Sequence, residues 1–178
     1  PSTSPAVVAT VGRARGTFAI ATRIDPTHPG TVIFSIVATA SDDVDPAYLP
    51  AGRGYVFSSN RQTKTKSNIN GVDVFAIDEY ERERVLNLHT MNADGDNIEQ
   101  ISVNQSHDRN PVVKSNGDVM FSRWEHVGPR NRFAIFTSRP DGTNMFVRYG
   151  AHSPGNSFLH PREMDPAGKY KDHVASSL

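Results

Sequence analysis

The chain has 178 residues, 19 Lys+Arg against 19 Asp+Glu, and no cysteine. No cysteine means no disulfide framework, no Cys zinc site, no thiol nucleophile and no covalent c-type haem in this segment. Zero formal charge argues against a nucleic-acid binder, and no apolar run approaches the roughly 18 residues of a membrane span. In chain order, the opening Pro1-Ser-Thr-Ser-Pro5 has neither the basic start nor the apolar centre of a signal peptide. Residues 1–41 read as a weakly defined β segment. Thr17–Thr22 and Thr31–Ala38 are its strand candidates, the outer strands of a preceding repeat unit. No initiator Met opens the chain and Val174–Leu178 reads as a strand just beginning, so an incomplete piece is expected.

Residues 42–178 repeat themselves. Thr90-Met-Asn-Ala-Asp-Gly-Asp-Asn-Ile98 returns as Thr137-Ser-Arg-Pro-Asp-Gly-Thr-Asn-Met145, with the Asp-Gly pairs 47 residues apart. Pro46–Gly52 followed by Tyr55-Val-Phe-Ser58 returns as Pro111–Gly117 followed by Val119-Met-Phe-Ser122, and a weaker copy starts at Pro161. The step from Pro111 to Pro161 is 50 residues; that from Pro46 to Pro111 is 65, which implies an insertion at 62–84. Its charge run, Asp78–Arg84, reads as a solvated loop or, less favoured, a partner-contact loop. Within each unit, Pro suits the start of a strand because it has no N–H to pair. Asn116-Gly117 and Asp141-Gly142 are tight-hairpin signals. Val119–Trp124, Phe133–Thr137 and Met145–Tyr149 are rich in strand formers. About four short antiparallel strands per unit is the arithmetic of a propeller blade. The expected fold is therefore all-β: a partial β-propeller of about three to four blades of four antiparallel strands. An antiparallel sandwich with look-alike turns is the alternative.

Candidate site residues follow from the repeat. Counted back from the strand-start prolines, His107 and Asp108 correspond to Asp42 and Asp43. Equivalent residues of successive blades converge at the channel face, where propellers commonly bind ligands. Asp42, Asp43, His107 and Asp108 are thus expected to cluster, with His152 and His160 approaching from the next blade. Imidazole with carboxylate suits a transition metal or a proton-transfer site. The alternatives are structural: Asp43 and Asp108 as caps of turn N–H groups, and His107 as a hydrogen-bonded packing residue. Arg123 either pairs with a neighbouring blade's carboxylate or reaches the channel. Trp124 packs between blades, and His126 ends a strand. Arg162 and Glu163 lie near an innermost strand, where buried charges need partners. The chain has no His-Glu-x-x-His, no phosphate-binding Gly-rich loop and no Gly-x-Ser-x-Gly, so it carries no complete catalytic constellation.

The motifs resemble TolB-like, WD40-like six-bladed propellers, and more closely the middle domain of the hydrazine synthase alpha subunit family. The residues carrying this resemblance are Asp45–Pro50, Phe57–Arg61, His89–Gly95, Ser106–Pro111, Phe121–His126, Pro140–Thr143, Tyr149–Asn156 and Pro161-Arg162. The resemblance implies an exported, periplasmic bacterial protein with haem domains or other proteins as partners. It implies c-type haem in regions outside this chain, which itself lacks Cys-x-x-Cys-His; hydrazine synthesis is not carried over. Two functions are expected in order: a scaffold or binding module, then part of a redox or hydrolytic enzyme completed by other regions. If enzymatic, it is a subunit of an oxidoreductase-type haem protein. No cofactor is expected in this chain apart from a possible metal ion, and neither nucleic acid nor a membrane span is expected.

Overall fold

A computed structural model of the chain describes residues 17–24, 32–39, 41–80, 82–153 and 156–178. The rest of the expected segment 1–41, and Pro154-Gly155 of the Gly150–Asn156 loop, lie outside the described residues. The fold is all-β. Strands β1 (Thr17–Ile24) and β2 (Val32–Thr39) form an antiparallel hairpin, matching both early strand candidates. One four-stranded antiparallel sheet runs β3 (Asp43–Tyr48), β4 (Tyr55–Ser59), β7 (Asn87–Met91), β8 (Glu99–Gln100), in that spatial order. The next repeats the same simple meander with β9 (Asp108–Val113), β10 (Val119–Val127), β11 (Arg130–Ser138) and β12 (Phe146–Tyr149). Strands β13 (Leu159–Glu163) and β14 (Val174–Ser177) pair as a further hairpin. One 3-10 turn, Pro50–Gly52, joins β3 to β4.

The repeats fold alike because their turn chemistry is alike. In 92–96, 114–118 and 139–143 the first N–H donates to the carbonyl four residues on, at 2.9, 2.8 and 2.9 Å. Asp94, Asn116 and Asp141 each accept from the N–H two residues ahead, at 3.0, 3.1 and 2.9 Å. Short polar side chains that bond their own backbone stabilise such turns. The glycine in each has φ 92°, 88° and 81°, a region that glycine enters without steric cost.

A second regularity was not expected from sequence. Asp45, Asn110 and His160, the residues before Pro46, Pro111 and Pro161, are all left-handed, at φ 55°, 54° and 49°. At each, two residues of the first strand oppose one of its neighbour, which is a β-bulge. Proline cannot donate to a ladder, and the bulge removes the demand for that bond.

The sheets pack face to face. Along β10, Val119 and Phe121 enter a core with Leu49, Val56, Leu88 and Ile101 of the preceding sheet. Met120 points the other way and joins Ile135 and Phe158. Alternate residues of a strand face opposite sides, so a sheet covered on both faces carries consecutive apolar residues, and all three are fully buried. Burial of each such side chain stabilises by about 1.5–3 kcal/mol. The first strands of successive units meet, β9 against β3 and β4, and β13 against β9 and β10.

The insertion at 62–84 differs from the expected solvated loop at its base. Its tip, β5 (Ser67–Ile69) and β6 (Val72–Val74), is an exposed hairpin. Gln62 is fully buried and its amide bonds Ala76 N, Ala76 O and Val85 O. Asp78, read as part of a solvated charge run, is buried and accepts from Tyr80 N and Glu83 N at 2.9 and 3.0 Å.

The close approach at Gly54 gives a direct test of packing. Its φ is 110°, and a Cβ built there would lie 1.9 Å from Met91 O. Gly54→Ala must move backbone as well as bear a strained φ, so the expected loss exceeds about 1 kcal/mol in urea unfolding. An unchanged midpoint would mean β4 and β7 do not meet at this spacing.

Candidate functional site

Two places gather polar groups. The first is built by the bulges. Asp45, Asn110 and His160 occupy equivalent positions of three successive units. With Pro46, Pro111 and Arg162 they line one cavity of about 100 Å³. The left-handed backbone swings these side chains out of the ladder and together. Asn110 donates from both its backbone N and its Nδ2 to Asp45 Oδ2, at 3.1 and 3.0 Å. Arg162 Nη1 donates to Pro161 O at 2.8 Å. His160 and Arg162 are exposed. Of the sequence candidates, His160 and Arg162 meet here. Asp45 and Asn110 were missed, although their place before the repeated prolines was a usable signal.

The second centres on Trp124. His107 stacks on it at 5.5 Å and 18°, His126 at 5.4 Å and 12°, and Phe133 at 5.6 Å and 16°. Tyr80 of the insertion meets both Trp124 and His126 edge-on. His107 is buried; its Nδ1 accepts from Leu86 N at 3.0 Å, which places the ring proton on Nε2, 3.7 Å from Asp78 Oδ2. Asp108 is fully buried and receives Ser102 Oγ at 2.6 Å, Asn104 Nδ2 at 3.0 Å and Arg123 Nη1 at 3.2 Å. Burial pushes its carboxyl pKa up, against the pull of Arg123, Ser102 and Asn104. Arg123 also donates to Val103 O at 2.7 Å; the carboxylate it pairs with belongs to its own sheet, not to the neighbouring unit that was expected. His126 Nδ1 lies 3.3 Å from Glu79 Oε1 without a hydrogen bond. Arg123 and His126, with Val103–Ser106, Glu125 and Arg130, border a cavity of about 860 Å³ under the insertion.

The remaining candidates sit elsewhere. Asp42 is tied to Asn60, which donates from Nδ2 to Oδ2 at 2.8 Å. Asp43 holds Arg61 through two bonds, 2.9 and 2.5 Å. Both are thus engaged within the first sheet, whereas His107 and Asp108 are engaged around Trp124. Glu163 accepts from Ser115 N at 2.6 Å, on the strand face opposite Arg162. Arg132 grips the carbonyls of Ala151 and Ser153, leaving His152 exposed between them. His89, absent from the sequence candidates, is fully buried beside Phe57. Among the described residues no group of three or more His, Asp or Glu could hold a metal ion.

No known family profile matches the chain, and no curated protein does. Among solved structures the chain is similar to hydrazine synthase of Kuenenia stuttgartiensis, at 16% identity and a TM-score of 0.42. The match covers 75% of this chain and 17% of that one, a distant structural relationship in which this chain spans under a fifth of its neighbour's length.

Proposed function

We propose that the chain is a binding module in which the sheets are blades of a β-propeller and the bulge cavity lies on their common axis. One observation carries this reading. Equivalent residues of three successive units, Asp45, Asn110 and His160, line the same cavity. Radially arranged repeats bring equivalent residues together at an axis; a two-layer sandwich does not. Binding is favoured over catalysis because the other cluster is internally committed. Nδ1 of His107 and both oxygens of Asp108 already serve protein partners. The exported, haem-associated setting implied by the sequence resemblance belongs to the same proposal, on the quoted motifs alone.

The chain has no cysteine, so label pairs can be placed freely. Spin labels at Asp45→Cys with His160→Cys, Asn110→Cys with His160→Cys, and Asp45→Cys with Asn110→Cys are expected to broaden each other's spectra in every pair. A pair including His160→Cys that shows no broadening would separate the third unit from the axis and remove the basis of the reading.

A further inference from the structure

We infer that the bulge cavity binds a small zwitterion, a free α-amino acid of the size of glycine. The inference rests on the binding reading above and names its ligand class. Three observations support it. First, the cavity holds one carboxylate, Asp45, and one guanidinium, Arg162, and among the described residues neither forms an ion pair. The carboxylate is braced through Oδ2 by two Asn110 donors, while Oδ1 takes no hydrogen bond from the described residues. The guanidinium spends only Nη1, on Pro161 O. A braced anion and a cation bordering one space, each with unused valence, match an ammonium and a carboxylate on one molecule. Arg in particular presents paired donors that fit a carboxylate.

Second, the backbone that opens this space is bulged rather than regular. Asp45 and His160 occupy left-handed bulge positions, and Arg162 resumes the ladder directly after the second bulge, opposite Ala175. Backbone held in sparsely populated regions concentrates where a ligand must be met. Third, the volume suits a small ligand. At about 30 Å³ per water, a space of about 100 Å³ accepts a few heavy atoms. A metal ion is a poorer match, because among the described residues Asp45 and His160 are the only anionic or imidazole groups lining the cavity.

The test uses the full chain and ¹H–¹⁵N spectra titrated with glycine, acetate or methylamine. Glycine is expected to give saturable shifts around residues 45, 110 and 160–162. Acetate and methylamine, each carrying half of the pattern, are expected to bind at least tenfold more weakly. Arg162→Gln and Asp45→Asn should each weaken glycine at least tenfold; the second keeps an acceptor for Asn110, so the bulge pair survives. Acetate binding as tightly as glycine would make this an anion site and overturn the inference. So would glycine shifts that do not saturate, or that persist in Asp45→Asn. If glycine fails while all three label pairs still broaden, only the ligand class is lost. If the label pairs fail as well, the axial reading falls with it.

Discussion

His89 alone is expected to cost the folded chain about 3 kcal/mol as the pH falls from 7 to 4, and His89→Leu is expected to abolish that loss. The ring is fully buried in β7. Its Nδ1 donates to Asn87 O at 3.0 Å, and its Nε2 has no partner. Protonating Nε2 would place a charge beside Phe57, 5.9 Å away centre to centre, with no acceptor for the new proton. Burial therefore lowers the pKa from 6.5 to about 4; the Asn87 carbonyl and the Asp43 charge oppose the shift only weakly. The sign follows from which state binds protons. Below pH 6.5 the unfolded ring takes up a proton that the folded ring refuses until about pH 4. This group's contribution is thus complete above 6.5 and lost as the pH drops to 4. A shift of this size corresponds to about 3 kcal/mol at about 1.4 kcal/mol per unit. Urea unfolding of both proteins across this range isolates the effect, since carboxylate contributions cancel in the difference. Parallel pH profiles would show that the folded ring titrates normally and that His89 is not sealed in the sheet.

His89 also shows what a sequence hides. Within Asn87-Leu-His-Thr-Met91 it alternates like any strand residue, and only the second layer of packing reveals that its side is dry. The turns were legible because their chemistry is local: Asp94, Asn116 and Asp141 bond backbone two residues away. The strands and their four-per-unit spacing were legible because proline and the apolar runs recur with them. The site was less so. The repeat aligned Asp43 with Asp108, yet their partners come from positions that do not repeat, Arg61 in one case and Ser102, Asn104 and Arg123 in the other. Asp78 read as one charge in a solvated run, because burial of a single carboxylate leaves no mark on local composition. Asp45 and Asn110 were silent because an Asp or Asn before proline is common in ordinary turns. Their left-handed backbone appears only where three strands bulge at the same place.

Removing the Asp108 side chain is expected to be the most damaging single change in the chain. Asp108→Ala should cost about 3–5 kcal/mol, the range for deleting one member of a buried ion pair. The carboxylate is a junction between successive sheets. It receives Ser102, whose Oγ in turn accepts from Leu88 N at 2.8 Å in β7. It also receives Asn104, whose Nδ2 reaches His107 O and Trp124 O as well. Alanine leaves all these donors in place and without the acceptor. Arg123 limits the damage, because it borders the large cavity and keeps its bond to Val103 O. The raised pKa sets how the loss varies with pH. A carboxyl whose folded pKa lies above 3.8 contributes stability that is complete below 3.8 and declines as the pH rises through the folded value. The junction is therefore weakest when ionised, and Arg123 is what makes the ionised form tolerable. A double-mutant cycle separates the two effects. Adding Arg123→Met to Asp108→Ala should cost less than Arg123→Met does alone, with a coupling of about 0.5–3 kcal/mol. Additive losses would mean that Asp108 is held by Ser102 and Asn104 alone. A loss below about 1 kcal/mol for Asp108→Ala would show that the sheets are joined by apolar packing, with the buried carboxylate a bystander.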